Sequence, residues 1–156
     1  MEQLMFSDSG GLEKLAVLCW LWAFGFGSKE EYFSELDRLF LEDPEDDFLL
    51  ELETFSGDRK AAWARLSPFV ETEMNVDKFG KELFGRLEKF YLENCNSRSS
   101  LEGFGKTCYA MWQSLPASIN TKDPFHILCY ADDPLSWGDE KQTRELYQKA
   151  FEHYKG

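Results

Sequence analysis

The chain has 156 residues, of which 43% are hydrophobic and 16% aromatic, enough for a core and too apolar for a disordered segment. Its formal net charge of −12, from 29 acidic against 17 basic residues, disfavours DNA and RNA as ligands, because their phosphate backbones would be repelled. The scattered cysteines Cys19, Cys95, Cys108 and Cys129 form neither a disulfide framework nor a zinc pattern, and they read as thiols of a reducing compartment.

The first element is the run Leu15 to Phe26, whose 12 residues are short for a membrane span. Residues 1–14 carry Glu2, Asp8 and Glu13 against Lys14, unlike a basic secretory leader, so a cytoplasmic protein with no membrane partner is expected. A helix over 10–25 is predicted. It is apolar nearly all round, the pattern of a central helix, with a partner-binding edge as the alternative.

A second helix over 28–42 starts at a capping box, Ser28 with Glu31, and carries the stripe Tyr32, Phe33, Leu36, Leu39 and Phe40. Asp43-Pro44 predicts a third over 44–56, a fourth spans 58–66, and Ser67-Pro68 signals a separate turn over 68–73. The stripe Phe79, Leu83, Phe84, Leu87, Phe90 and Tyr91 predicts a helix over 76–94. Between it and the next helix, the polar stretch around Cys95 predicts an exposed thiol.

Ser99 with Glu102 opens a helix over 100–115 whose stripe is Leu101, Phe104, Cys108, Met111, Trp112 and Leu115. Asp123-Pro124 opens one over 124–131, and Leu146, Tyr147, Ala150, Phe151 and Tyr154 mark a last one over 138–154. The intervening stretch 130–142 is the densest turn region and holds Trp137, either a partner anchor or a plug for the end of the bundle. No stretch alternates as a strand does. The expectation is one all-α domain over 1–156, a compact bundle of about seven or eight helices with the apolar first helix near its centre.

Gly105-Lys106-Thr107 matches the end of a phosphate-binding loop, but Ser100 stands where that motif has its first glycine, and the polar residues before it cannot form the buried strand the motif follows. The capping box assigns the same residues to a helix, with Lys106 and Thr107 inside it. Paired carboxylates Glu31/Glu35 and Asp47/Glu51 lie four apart on helix faces, the type of spacing a magnesium-dependent helical hydrolase uses, yet neither a di-metal Glu-x-x-His pattern nor a calcium loop occurs. His126 falls in the first turn of a short helix and His153 in the last turn of the final one, where an imidazolium suits the dipole. No catalytic residue, cofactor or metal ligand is assigned.

The charge is lopsided. Residues 1–56 hold 14 acidic and three basic residues, a balance of −11, while the rest balances at −1. Between Arg38 and Arg59 no base occurs, and Glu42, Asp43, Glu45, Asp46, Asp47, Glu51 and Glu53 crowd together. Carboxylates in a first helical turn suit the helix dipole, which accounts for Asp43, Glu45 and Asp46 but not for Glu42, Glu51 and Glu53.

Such a run is either a solvated face or a field that steers a basic protein. The sequence therefore points to a non-enzymatic binding protein with Glu42, Glu45, Asp46, Asp47, Glu51, Glu53 and Trp137 toward a basic protein partner. By analogy of size, helicity and charge this would be a neutralising partner of the immunity or antitoxin type. The alternative is a magnesium-dependent hydrolase or a nucleotide-binding helical enzyme.

Overall fold

The computed structural model describes residues 11–55 and 58–155; the leader reading of residues 1–10 and the end of the 44–56 helix lie outside them. The described residues contain ten helices and no strand: α1 Gly11–Phe24, α2 Lys29–Glu42, α3 Asp47–Thr54, α4 Arg59–Thr72, α5 Val76–Asn94, α6 Arg98–Ser114, α7 Ala117–Asn120, α8 Ile127–Tyr130, α9 Asp133–Ser136 and α10 Glu140–Glu152. Seven of them are eight residues or longer, as the hydrophobic periods predict. The chain divides into two compact units, Met1–Phe79 and Gly80–Gly156. The first carries 18 acidic residues against seven basic, a net −11; the second carries 11 against ten, a net −1.

In the first unit α1 is the centre, packed on α2 and α4. From Leu12 to Leu21 every residue but Lys14 is buried, which is what a helix apolar on all sides requires. Trp20, 3% exposed, stacks on Trp63 at 6.2 Å and lies 5.9 Å from Phe79, and the half-buried Trp22 meets Tyr32 at 5.7 Å. The buried Glu13 accepts the Asn75 backbone N–H at 2.8 Å.

Two boundaries differ from the local signals. The third helix starts at Asp47, because the Asp43 N–H closes α2 onto Leu39 and Phe40 carbonyls while Asp46 Oδ1 accepts the N–H groups of Phe48 and Leu49. Residues 59–72 form one helix through Pro68, not a helix and a separate turn. The buried stripe Ala62, Leu66, Phe69 and Val70 runs on through the proline, and Ala64, whose carbonyl loses its partner there, faces solvent.

In the second unit the predicted stripes of α5, α6 and α10 face inward around Phe84, Phe104 and Tyr147. Helix α6 is capped by Ser97, not Ser99: Ser97 Oγ accepts the Ser100 N–H at 3.1 Å while Ser100 Oγ accepts the Ser97 N–H at 3.0 Å, and Glu102 instead pairs with Arg98. That earlier start draws in Cys95, which is 2% exposed rather than displayed, its N–H bonded to the Tyr91 carbonyl.

Asp123-Pro124, a cis peptide, does not open a helix; Pro124 and Phe125 are buried in a turn, Phe125 5.5 Å from Phe84, and α8 starts at Ile127. His126 thus sits just before α8, 5.3 Å from Tyr130, and His153 follows α10 as its cap.

Gly105, Lys106 and Thr107 lie in the interior of α6. Gly105 is needed for packing: a Cβ there would stand 2.6 Å from the Cβ of Asp132, whereas one on Gly103 would meet nothing within 4 Å. Gly103→Ala is expected to stabilise by about 0.5–1 kcal/mol through backbone entropy. Gly105→Ala is expected to destabilise by about 1–2 kcal/mol, since the overlap with Asp132 outweighs the same entropic gain. Urea unfolding of the two variants checks the pair; equal shifts of the same sign would contradict this packing.

Candidate interaction surface

The acidic residues are distributed over α2, α3 and the turn between them. Ser28 Oγ caps α2 by accepting the Glu31 N–H at 3.1 Å, and Tyr32, Leu36 and Leu39 form its buried face. Phe48, Leu49 and Leu52 do the same for α3. These inward faces leave Asp37 and Leu41 of α2, and Asp47, Leu50 and Glu51 of α3, exposed.

Much of the acidic run is occupied. Glu42 pairs with Arg38 one turn earlier on α2 at 2.7 Å, and Glu51 takes Arg65 at 2.6 Å from α4, a base that the run's linear neighbourhood lacks. Arg65 also lies over the Phe48 ring, 4.2 Å from its centroid. Asp46 is spent on the α3 cap. Glu45 and Asp47 are exposed and make no ion pair or side-chain hydrogen bond among the described residues.

Glu35, one of the candidate metal carboxylates, is buried and held by Arg38 at 2.6 Å and Lys14 at 3.6 Å. Among the described residues no group of three or more His, Cys, Asp or Glu is placed to hold a metal ion.

The remaining member, Glu53, lies in a different setting. It lines a groove of about 480 Å³ with Asp37, Phe40, Leu41 and Leu50. Leu41 is 78% exposed and Leu50 47%, so the walls are apolar and open. Glu53 is half-buried; burial first, then the neighbouring carboxyl of Asp37, push its carboxyl above the ordinary range. Among the described residues no cation is paired with Glu53 to offset these effects. The Tyr32 phenol is raised as well, by burial, then by Cys19 and Glu53.

Sequence reasoning missed Asp37, Phe40, Leu41 and Leu50 as one surface with Glu53. The available signal was Leu41 and Leu50, large apolar residues on the polar faces of amphipathic helices.

Trp137 belongs to the second unit. It follows α9, is 67% exposed, and precedes Gly138 at φ +89°, so it is a displayed side chain and not a plug. Lys106 lines a cleft of about 260 Å³ with Glu102, Asp132, Leu135 and Ser136, where burial and the charge of Asp133 raise the Asp132 carboxyl. This cleft lies beside α6, not at a helix start, and its acids would repel phosphate.

Burial raises all four thiols, Cys19 to about 12, which disfavours their thiolate forms. No helix among the described residues is long and apolar enough to cross a membrane.

The chain matches no protein-family model, no curated protein and no solved structure. The geometry alone carries the functional reading.

Proposed function

We propose that this is a binding protein whose α2–α3 surface engages a basic protein partner. The observation that carries the reading is the α2–α3 groove, where exposed leucines flank two carboxyls, Asp37 and Glu53, that no base among the described residues neutralises. Glu45 and Asp47 extend the negative field beyond the groove, and Glu42 and Glu51 can exchange their exposed intramolecular pairs for intermolecular ones at little cost, since such pairs contribute about 0–1 kcal/mol. In its specific form the protein neutralises its partner by covering a basic, substrate-binding surface, as an immunity or antitoxin protein would. Trp137 supplies a second, aromatic anchor.

The test is capture of partners on the immobilised protein at about 0.05 and 0.5 M salt, because screening at the higher salt shortens the field to a few ångströms. The same capture is repeated with Glu42, Glu45, Asp47, Glu51 and Glu53 changed to Gln or Asn, and with Trp137→Ala. One basic protein that binds the parent, weakens in salt, is lost from the acidic variant and loses its own activity when bound is the expected result. A parent and acidic variant that capture the same proteins would overturn it.

Binding should also weaken as the pH falls through the raised carboxyl range of Glu53, because the protonated acid cannot pair with a cation. The loss should begin above the ordinary glutamate value of 4.5, and Glu53→Gln should flatten that part of the profile.

A further inference from the structure

We propose that the α2–α3 groove seats one amphipathic helix of the partner, its apolar side chains against Phe40, Leu41 and Leu50 and a Lys or Arg between Asp37 and Glu53. This rests on the reading above that the surface binds a basic protein, and it specifies the form of what binds.

Three features select this occupant. The first is backbone chemistry: both walls are helices whose amide groups are consumed internally, so they present no sheet edge. An extended segment laid there would leave its own N–H and C=O groups facing leucine side chains, each costing about 1–3 kcal/mol if unpaired. A helix satisfies its own backbone and offers only side chains, which is the helix-in-groove mode.

The second is charge complementarity within an apolar setting. Asp37 and Glu53 come from different helices and line the same groove, close enough that Asp37 raises the Glu53 carboxyl. The nearby bases of the unit are committed elsewhere, Arg38 to Glu35 and Glu42, Arg65 to Glu51, Lys14 to Glu35. A guanidinium or ammonium entering the groove would donate hydrogen bonds to both carboxylates and offset their mutual repulsion. Neither α2 nor α3 has a basic residue in its last turn, so the negative ends of both helix dipoles add to the attraction.

The third is the pairing of the two leucines. Leu41 and Leu50 are the only large hydrophobic side chains that the first unit exposes among its described residues, and both line this groove. Apolar side chains on one face of a helix, at i and i+4 or i and i+7, supply matching anchors.

The probe is a synthetic helix of about 14 residues built from Leu, Ala and Lys with its leucines on one face, compared with a shuffled isomer of identical composition. Binding is read by fluorescence anisotropy at about 0.15 M salt, and the site by backbone amide shifts. Two charge-matched variants of the full chain are compared: Asp37→Asn with Glu53→Gln in the groove, and Asp47→Asn with Glu45→Gln outside it. All four positions are exposed or half-buried, and circular dichroism verifies the fold; Leu41→Ser with Leu50→Ser serves as a second groove variant.

The amphipathic isomer is expected to bind about tenfold or more tighter than the shuffled one, with shifts at Phe40, Leu41, Leu50 and Glu53. The groove variants should lose about tenfold and the outer pair about twofold or less. Isomers that bind alike, with equal losses in the two charge-matched variants, would overturn the groove as a helix seat while leaving an acidic protein-binding face. If neither isomer binds the parent, both readings fall.

Discussion

Trp20→Ala is expected to lower the unfolding free energy by about 3–5 kcal/mol, the range for deleting a large aromatic from a packed core. The reason is local to α1. Trp20 is almost wholly buried and packs on Trp63, Phe79 and Phe24 at ring distances of 6.2, 5.9 and 5.8 Å, so truncation leaves a cavity bounded by three other rings. Domains of this size have total stabilities of about 5–15 kcal/mol, so the variant should be marginal at ordinary temperature. Chemical denaturation gives the number directly. A change below about 1 kcal/mol would mean that this face of α1 is exposed and available to a partner, the alternative that an all-apolar helix leaves open in a sequence.

Phe104→Ala carries an effect of similar size, about 3–5 kcal/mol, and it also tests whether residues 103–107 form a ligand loop. Phe104 stands between Gly103 and Gly105, in the letters that imitate a phosphate-binding loop. In such a loop its side chain would be peripheral and its loss mild. Here it is 3% exposed and lies 5.0 Å from Tyr147, 5.5 Å from Tyr91 and 6.2 Å from Phe90. A large loss of stability, with no change in melting temperature of the parent on adding Mg-ATP, is the expected pair of results. A mild loss together with a nucleotide-dependent rise would overturn the helical assignment, because a ligand that binds only the folded state must stabilise it.

The surface of the first unit has a consequence for how its charge should be counted. Summed along the chain, residues 42–53 hold seven acids and no base. In space, Arg38 and Arg65 neutralise two of those acids and Asp46 is consumed by a helix cap, so among the described residues the acids of the run with unanswered charge are Asp43, Glu45, Asp47 and Glu53, the last beside Asp37. Substituting all seven acids would therefore mix the loss of partner contacts with the loss of a cap, which by itself costs about 0.5–2 kcal/mol. Retaining Asp46 in the test variant avoids that confusion.

Short-range physics made a large part of this fold legible. The periods of Tyr32, Leu36 and Leu39, of Phe79, Leu83 and Leu87, and of Tyr147, Ala150 and Phe151 predict helices whose inward faces are the observed ones. The Ser28 cap is likewise readable, because a cap joins residues three apart. Where two local signals competed, the letters could not rank them. Ser97 and Ser99 both qualify as caps, as do Asp43 and Asp46, and Pro68 argues for a break that the buried face of α4 overrides.

By itself the sequence determined that this protein is helical, where its main helices run, that Gly105 to Thr107 sit inside one of them, and that its negative charge is concentrated in the first half. Those properties depend on neighbours three or four residues away, or on composition. Only the tertiary structure decided that Glu51 meets Arg65, that Cys95 is buried, that Gly105 makes room for Asp132, and that Asp37, Leu41, Leu50 and Glu53 line one groove. Each of these joins residues on different helices or at their junctions. Their meeting depends on how the helices pack, and no local period encodes it.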